Sequence, residues 1–131
     1  MLRKIDRILL RVTPLEAAVR YYRDELGLTL IKHEKKLASF RMAEDTAELV
    51  LHEDPDLPAE AVYFLVEDVR ALHEARKERK LQFLSPPQPT SRGYRAVIRD
   101  PFGQVLNIID RTSGDSDVVE DARSAGSLFS G

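Results

Sequence analysis

From residue 4 to residue 12 successive side chains divide between two faces. Ile8, Leu10 and Val12 lie on one and Arg7, Leu9 and Arg11 on the other, the two-residue period of a strand. The period then changes. Thr13 and Glu16 have the spacing of a capping box, with Pro14 suited to the first helical position. Leu15, Ala18, Val19, Tyr22 and Leu26 recur at helical spacing, and Gly27 supplies a left-handed stop. Leu28 to His33, Leu37 to Met42 and Ala47 to His52 read as three strands divided by charged turns.

After the polar, proline-bearing stretch 53–60 the pattern begins again. Ala61 to Val66 is rich in β-branched and aromatic residues and reads as a strand. Glu67 and Asp68 open a helix carrying Val69, Leu72, His73 and Ala75. Leu81 to Leu84 is a short strand. The stretch 85–93, with Pro86, Pro87 and Pro89, is a loop excluded from helix and from central strand. Tyr94 to Arg99 and Gln104 to Asp110 are strands joined by the turn Asp100-Pro101-Phe102-Gly103.

The order β-α-β-β-β thus occurs twice. Val66 follows Val12 by 54 positions, and Leu106-Asn107-Ile108 follows Leu49-Val50-Leu51 by 57. Two copies of one unit share a core that neither closes alone. One helix covers one face of four strands, so the other face meets its twin, a partner or a ligand. The expected organisation is a first module at 1–53, a linker at 54–60, a second module at 61–111 and an acidic tail at 112–131. The tail reads as a frayed terminus with one short helical turn around Val118 to Ser124, and with Leu128 and Phe129 able to dock on the body.

Charge and composition narrow the function. Lys plus Arg is 20 and Asp plus Glu is 22 in 131 residues, a formal net charge of −2. The tail holds Asp115, Asp117, Glu120 and Asp121 against Arg123, so the body is nearly neutral. That balance excludes an electrostatic trap for nucleic acid. Lys77, Arg79 and Lys80 read as a solvated helix end. With no cysteine, disulfides, thiolate metal sites and a cysteine nucleophile are excluded. No apolar run is long enough for an export signal or a bilayer span, and the expected location is cytoplasmic.

Three stretches resemble the vicinal oxygen chelate superfamily, which includes glyoxalase I, extradiol dioxygenases, methylmalonyl-CoA epimerase and bleomycin-binding resistance proteins. They are residues 10–28 (Leu10-Arg11-Val12-Thr13-Pro14 through Leu26-Gly27-Leu28), 64–69 (Phe64-Leu65-Val66-Glu67-Asp68-Val69) and 98–108 (Ile98-Arg99-Asp100-Pro101-Phe102-Gly103 through Ile108). The resemblance implies an α+β fold in which two βαβββ modules form a cup-shaped mixed sheet with helices on the outer face. It also implies four metal-ligand positions, one on the first and one on the last strand of each half. Here these positions hold Arg7, Val50, Ala61 and Asn107. A permanent cation, two aliphatic side chains and a carboxamide make a poor site for a divalent ion. No metal and no other cofactor is therefore expected. Glu48 and His52 share parity with Val50, but about 13 Å of strand separates them, too far for one ion. His33 reads as a rim residue and His73 as a helix-surface residue.

The face away from the helices is expected to carry Arg7, Leu9, Arg11, Glu48, Val50, His52, Tyr63 and Asn107 as ligand-binding residues, with Ala61, Leu65, Val105 and Ile109 beside them. Ile8, Leu10, Val12, Leu49, Leu51, Val62, Phe64, Val66, Leu106 and Ile108 are expected to pack under the helices. Either Arg7 pairs internally with Glu48, or Arg7 or Arg11 anchors an anionic ligand group. The preferred function is a non-catalytic, resistance-type protein that sequesters or senses a small aromatic or anionic molecule. The alternatives are a lyase, isomerase or dioxygenase with displaced metal ligands, and a dimerisation module whose cup is filled by its own side chains. A homodimer is expected, since sheet faces and edges need cover.

Overall fold

The computed structural model describes residues 1–113, and the expectations placed on 114–131 lie outside the described residues. The chain order is β1 (Lys4–Arg11), α1 (Leu15–Asp24), β2 (Thr29–His33), β3 (Leu37–Arg41), β4 (Glu48–His52), β5 (Glu60–Leu65), α2 (Val69–Glu74), β6 (Gln82–Phe83), β7 (Gln88–Pro89), β8 (Tyr94–Arg99) and β9 (Val105–Ile109). One open mixed sheet runs β2-β3-β4-β1-β5-β9-β8-β6, and β7 also pairs with β8.

The two halves join edge to edge within the chain, through the antiparallel pair β1–β5. Inside each half the first strand runs parallel to the last, β1 with β4 and β5 with β9. The register repeats as the sequence offsets predict. Val12 N–H donates to His52 O, and Val66 N–H donates to Ile109 O, each at 2.9 Å. The pairs Leu9–Ala61, Ile8–Val62 and Arg7–Tyr63 are symmetric about Ile8–Val62, where the pseudo-twofold axis passes.

Each helix covers only its own half. Leu15 and Val19 of α1 pack on Ala38, Phe40 and Leu51, and Val66 and Val69 at the start of α2 pack on Ala96, Ile98 and Ile108. Val62 does not pack under a helix as expected. It lies on the seam between the two helices and is 37% exposed, with Ile5 beside it at 39%. Neither helix reaches the axis.

Local chemistry accounts for the boundaries. Pro14 takes extended backbone, so α1 begins at Leu15, and the expected capping box from Thr13 does not form. Asp68 does cap α2, accepting from Ala71 N–H. Gly27 takes the left-handed φ of +74° that ends α1. The proline-rich stretch holds the short edge strand β7, whose Gln88 and Pro89 pair with Arg95 and Tyr94. No helix among the described residues is long and apolar enough to cross a membrane.

Candidate functional site

The face away from the helices is organised around one irregularity in β1. Ile5 faces Phe64 and Arg7 faces Tyr63, so Asp6 is an extra residue in the ladder. A bulge of this kind disrupts strict alternation. Asp6 and Arg7 are both buried and meet each other, with Arg7 Nε and Nη2 each donating to Asp6 Oδ2 at 2.9 Å. Arg111 Nη2 donates to Asp6 Oδ1. Burial alone would raise the Asp6 carboxyl, but the two guanidinium groups outweigh it and hold it below the usual carboxylate range.

Glu48 and Tyr63 flank Arg7 on the neighbouring strands, and Asn107 lies beyond Tyr63. The ion pair of Arg7 runs to Asp6, where strand parity had pointed to Glu48. Glu48 is 6% exposed, and its Oε1 is buried with no hydrogen-bond partner among the described residues. Burial pushes the Glu48 carboxyl up, and Arg7, Arg92 and Arg41 offset this only in part. Burial likewise pushes the Tyr63 phenol well up.

The opposite end of the cup is closed by the linker. Leu57 packs into a buried cluster with Leu9, Val50, Tyr63, Leu65 and Ile109. His52 is fully buried beneath it. Asp54 N–H donates to His52 Nδ1 at 3.1 Å, and His52 Nε2 lies 2.8 Å from Pro58 O. An accepting Nδ1 leaves the proton on Nε2, which donates to the carbonyl. Both ring nitrogens are thus committed. Arg11 Nη2 donates to Leu57 O, also gripping the linker.

Beyond Arg7 the cup opens into a pocket of about 360 Å³ lined by Lys4, Arg41, Thr46, Glu48, Arg92 and Arg111. Lys4, Arg41 and Thr46 are exposed at its mouth, while Glu48 and Arg92 are buried. Lys4 Nζ donates to Thr46 Oγ1 at 2.7 Å. Arg41 lies opposite Glu48 on β3. Asp110, fully buried, ties together the backbone that neighbours the other two arginines. It accepts from Val69 N–H at 2.6 Å, Tyr94 N–H at 2.8 Å, Thr112 N–H at 3.2 Å and Thr112 Oγ1 at 3.0 Å. Ser113 N–H donates to Arg92 O at 2.8 Å, tying the end of the described chain to the Arg92 loop.

Of the eight residues expected to bind ligand, Glu48 alone lines this pocket. Arg7 is its buried neighbour, Leu9, Val50 and Tyr63 form the packed floor, and Arg11 and His52 hold the linker. Asn107 borders a separate opening of about 400 Å³ where β5 and β9 splay, with Ala61, Val62 and Val105. Lys4, Arg41, Thr46, Arg92 and Arg111 escaped the sequence reading. Arg41 continues the parity of Leu37 and Ser39, a usable signal. Arg92 and Arg111 lie outside strands, where no periodicity marks a face.

The donor set does not fit a divalent ion at the superfamily's positions. Arg7 is held by Asp6, Val50 and Ala61 carry no donor, and Asn107 offers one neutral oxygen. Among the described residues no three His, Asp or Glu side chains gather to hold a metal. His33 is exposed at the end of β2, and His73 packs edge-on against Phe83 at 4.8 Å, on the α2 side.

Residues 4–108 match the Glyoxalase/Bleomycin resistance protein/Dioxygenase superfamily. The chain belongs to this superfamily. Curated protein sequences yield no match. Among solved structures it is similar to methylmalonyl-CoA epimerase from Mycobacterium tuberculosis, at 16% identity and a TM-score of 0.62, covering 85% of this chain and 89% of that one. It is also similar to the Mn(II)-bound glyoxalase from Novosphingobium aromaticivorans, at 17% identity and 0.59, covering 89% of this chain and 42% of that one. A third similar structure, described as an NAD-dependent benzaldehyde dehydrogenase from Legionella pneumophila, has 21% identity and a TM-score of 0.57, covering 81% of this chain and 98% of that one. At these identities the likeness concerns the fold alone.

Proposed function

We propose that this protein binds a small anionic molecule in the pocket at the open end of the cup, without a metal ion. One observation carries the reading: among the described residues, Lys4, Arg41, Arg92 and Arg111 line a cavity of ligand size with one carboxylate, Glu48. Guanidinium forks match carboxylate and phosphate oxygens. Among the described residues the pocket lining is cationic and polar, with no aromatic side chain, which favours the anion over a stacked aromatic ring. The packing of Leu57 over Leu9 and Val50 leaves the other end of the cup to structure.

A thermal-shift and calorimetric screen of carboxylates and phosphate esters tests this, with manganese, nickel and zinc as the metal arm. Stabilisation by anions, weakened in Arg41→Ala and unaffected by chelator, is the expected result. Stabilisation by a metal alone, or by no anion at all, overturns it. We also propose a homodimer that covers the exposed apolar seam at Ile5 and Val62. Light scattering that returns a monomer at micromolar concentration refutes that assembly.

A further inference from the structure

Among the described residues Glu48 is the one carboxylate lining the pocket, and it faces the same cavity as the cations. The groups around it come from every neighbouring element. β1 contributes Lys4, Asp6 and Arg7, β3 contributes Arg41, and β5 contributes Tyr63. Arg92 comes from the loop before β8 and Arg111 from the segment after β9. The two carboxylates in this group are treated differently. Asp6 takes both Arg7 and Arg111. Glu48 is buried too, yet its Oε1 meets no donor among the described residues.

An anion entering the pocket would lie beside Glu48. If Glu48 were ionised, two negative groups would face each other at short range with little water between them. A protonated Glu48 removes that repulsion and turns an acceptor-only group into a donor. We infer that the pocket takes up its ligand together with one proton, held by Glu48: the ligand is a small oxyanion that accepts a hydrogen bond from the Glu48 carboxyl while Lys4, Arg41, Arg92 and Arg111 meet its charge. This inference rests on the anion pocket proposed above. The upward displacement of the Glu48 carboxyl by burial acts in the same direction. A ligand anion placed beside it displaces it further. The sign follows from linkage. A ligand that binds the protonated form weakens as pH rises above the Glu48 value of the free protein, by up to about tenfold per pH unit.

Isothermal titration of the full chain with sulfate, benzoate and succinate tests this. Sulfate and benzoate keep a constant charge between pH 5.5 and 8, roughly the range needed, and they separate tetrahedral from planar oxyanions. Each is measured in two buffers of different ionisation enthalpy, which counts protons directly. Uptake approaching one proton per bound anion, with affinity falling as pH rises, is expected. Glu48→Gln should bind the same anion with no proton uptake and a flat pH profile. Anion binding with no proton uptake in the wild-type chain overturns the inference and leaves the anion pocket standing. Loss of binding in a folded Glu48→Gln chain also overturns it. Failure of all three anions to bind overturns the pocket itself. The proton count on the wild-type chain decides even if the variant does not fold.

Discussion

Asp6 and Arg7, adjacent in a β-strand, are both buried and joined by two hydrogen bonds of 2.9 Å. The bulge in β1 makes this possible. Arg7 is thereby held in place as the wall behind the pocket, and Asp6 draws in Arg111 from the segment after β9.

Replacing Asp6 with Asn removes the carboxylate that pairs with a fully buried guanidinium. Breaking a buried pair from one side costs about 3 kcal/mol. Urea unfolding should show a loss of that order. The double variant Asp6→Asn with Arg7→Met should recover part of it, because the buried guanidinium is then gone along with its carboxylate. A single variant as stable as wild type would show that the pair holds nothing together.

Asp6 and Glu48 give stability opposite pH dependences. The Asp6 carboxyl is held below its ordinary value of 3.8, so its contribution is present at higher pH and lost as pH falls through its folded value. The Glu48 carboxyl is raised above 4.5, so the folded state binds its proton more tightly than the unfolded chain. Stability therefore falls as pH rises from that value through the folded one. Glu48→Gln should be more stable than wild type at pH 7, and the gap should shrink toward pH 4, roughly where both states are protonated. Urea midpoints at the two pH values measure it.

His52 holds the linker through both ring nitrogens. His52→Phe keeps a ring of similar size but leaves the Asp54 N–H and Pro58 carbonyl without it. The expected cost is about 2 kcal/mol. Limited proteolysis should cut within 53–59 faster than in wild type. Equal cutting rates would show that Leu57 packing alone seats the linker.

Gly93 lies against Asp110. A Cβ there would sit 2.6 Å from the Asp110 carbonyl oxygen and 2.9 Å from Thr112 N, and would press on the Asp110 carboxylate as well. Backbone cannot yield cheaply at such distances, so Gly93→Ala should destabilise by about 3 kcal/mol. Because the Asp110 network holds the backbone next to Arg92 and Arg111, anion binding should weaken too. Thermal unfolding with and without the best anion separates the two effects.

Much of the architecture was legible because it follows from local periodicity. The strand and helix periods gave the element order, and the offsets of 54 and 57 anticipated the matching hydrogen bonds at Val12 and Val66. Parity correctly set Leu9, Val50 and Tyr63 on the face away from the helices, and Leu10, Leu51 and Ile108 under them. It failed at Asp6, because a single inserted residue reverses the facing of all that precede it and leaves no mark in hydrophobicity. It failed at Val62 for another reason. That side is the helix face, but the helices stop short of the axis.

The amino-acid order by itself determined two repeated β-α-β-β-β units and the identities of the residues at the four positions that the resemblance matches, Arg7, Val50, Ala61 and Asn107. Those properties depend on residue type and short-range spacing. Only the tertiary structure decided that the halves join through β1 and β5, that the linker occupies one end of the cup, and that cations from four separate segments meet Glu48 at the other. Those relationships join residues as far apart as Asp6 and Arg111. They depend on strand pairing and on one bulge, which no local pattern encodes.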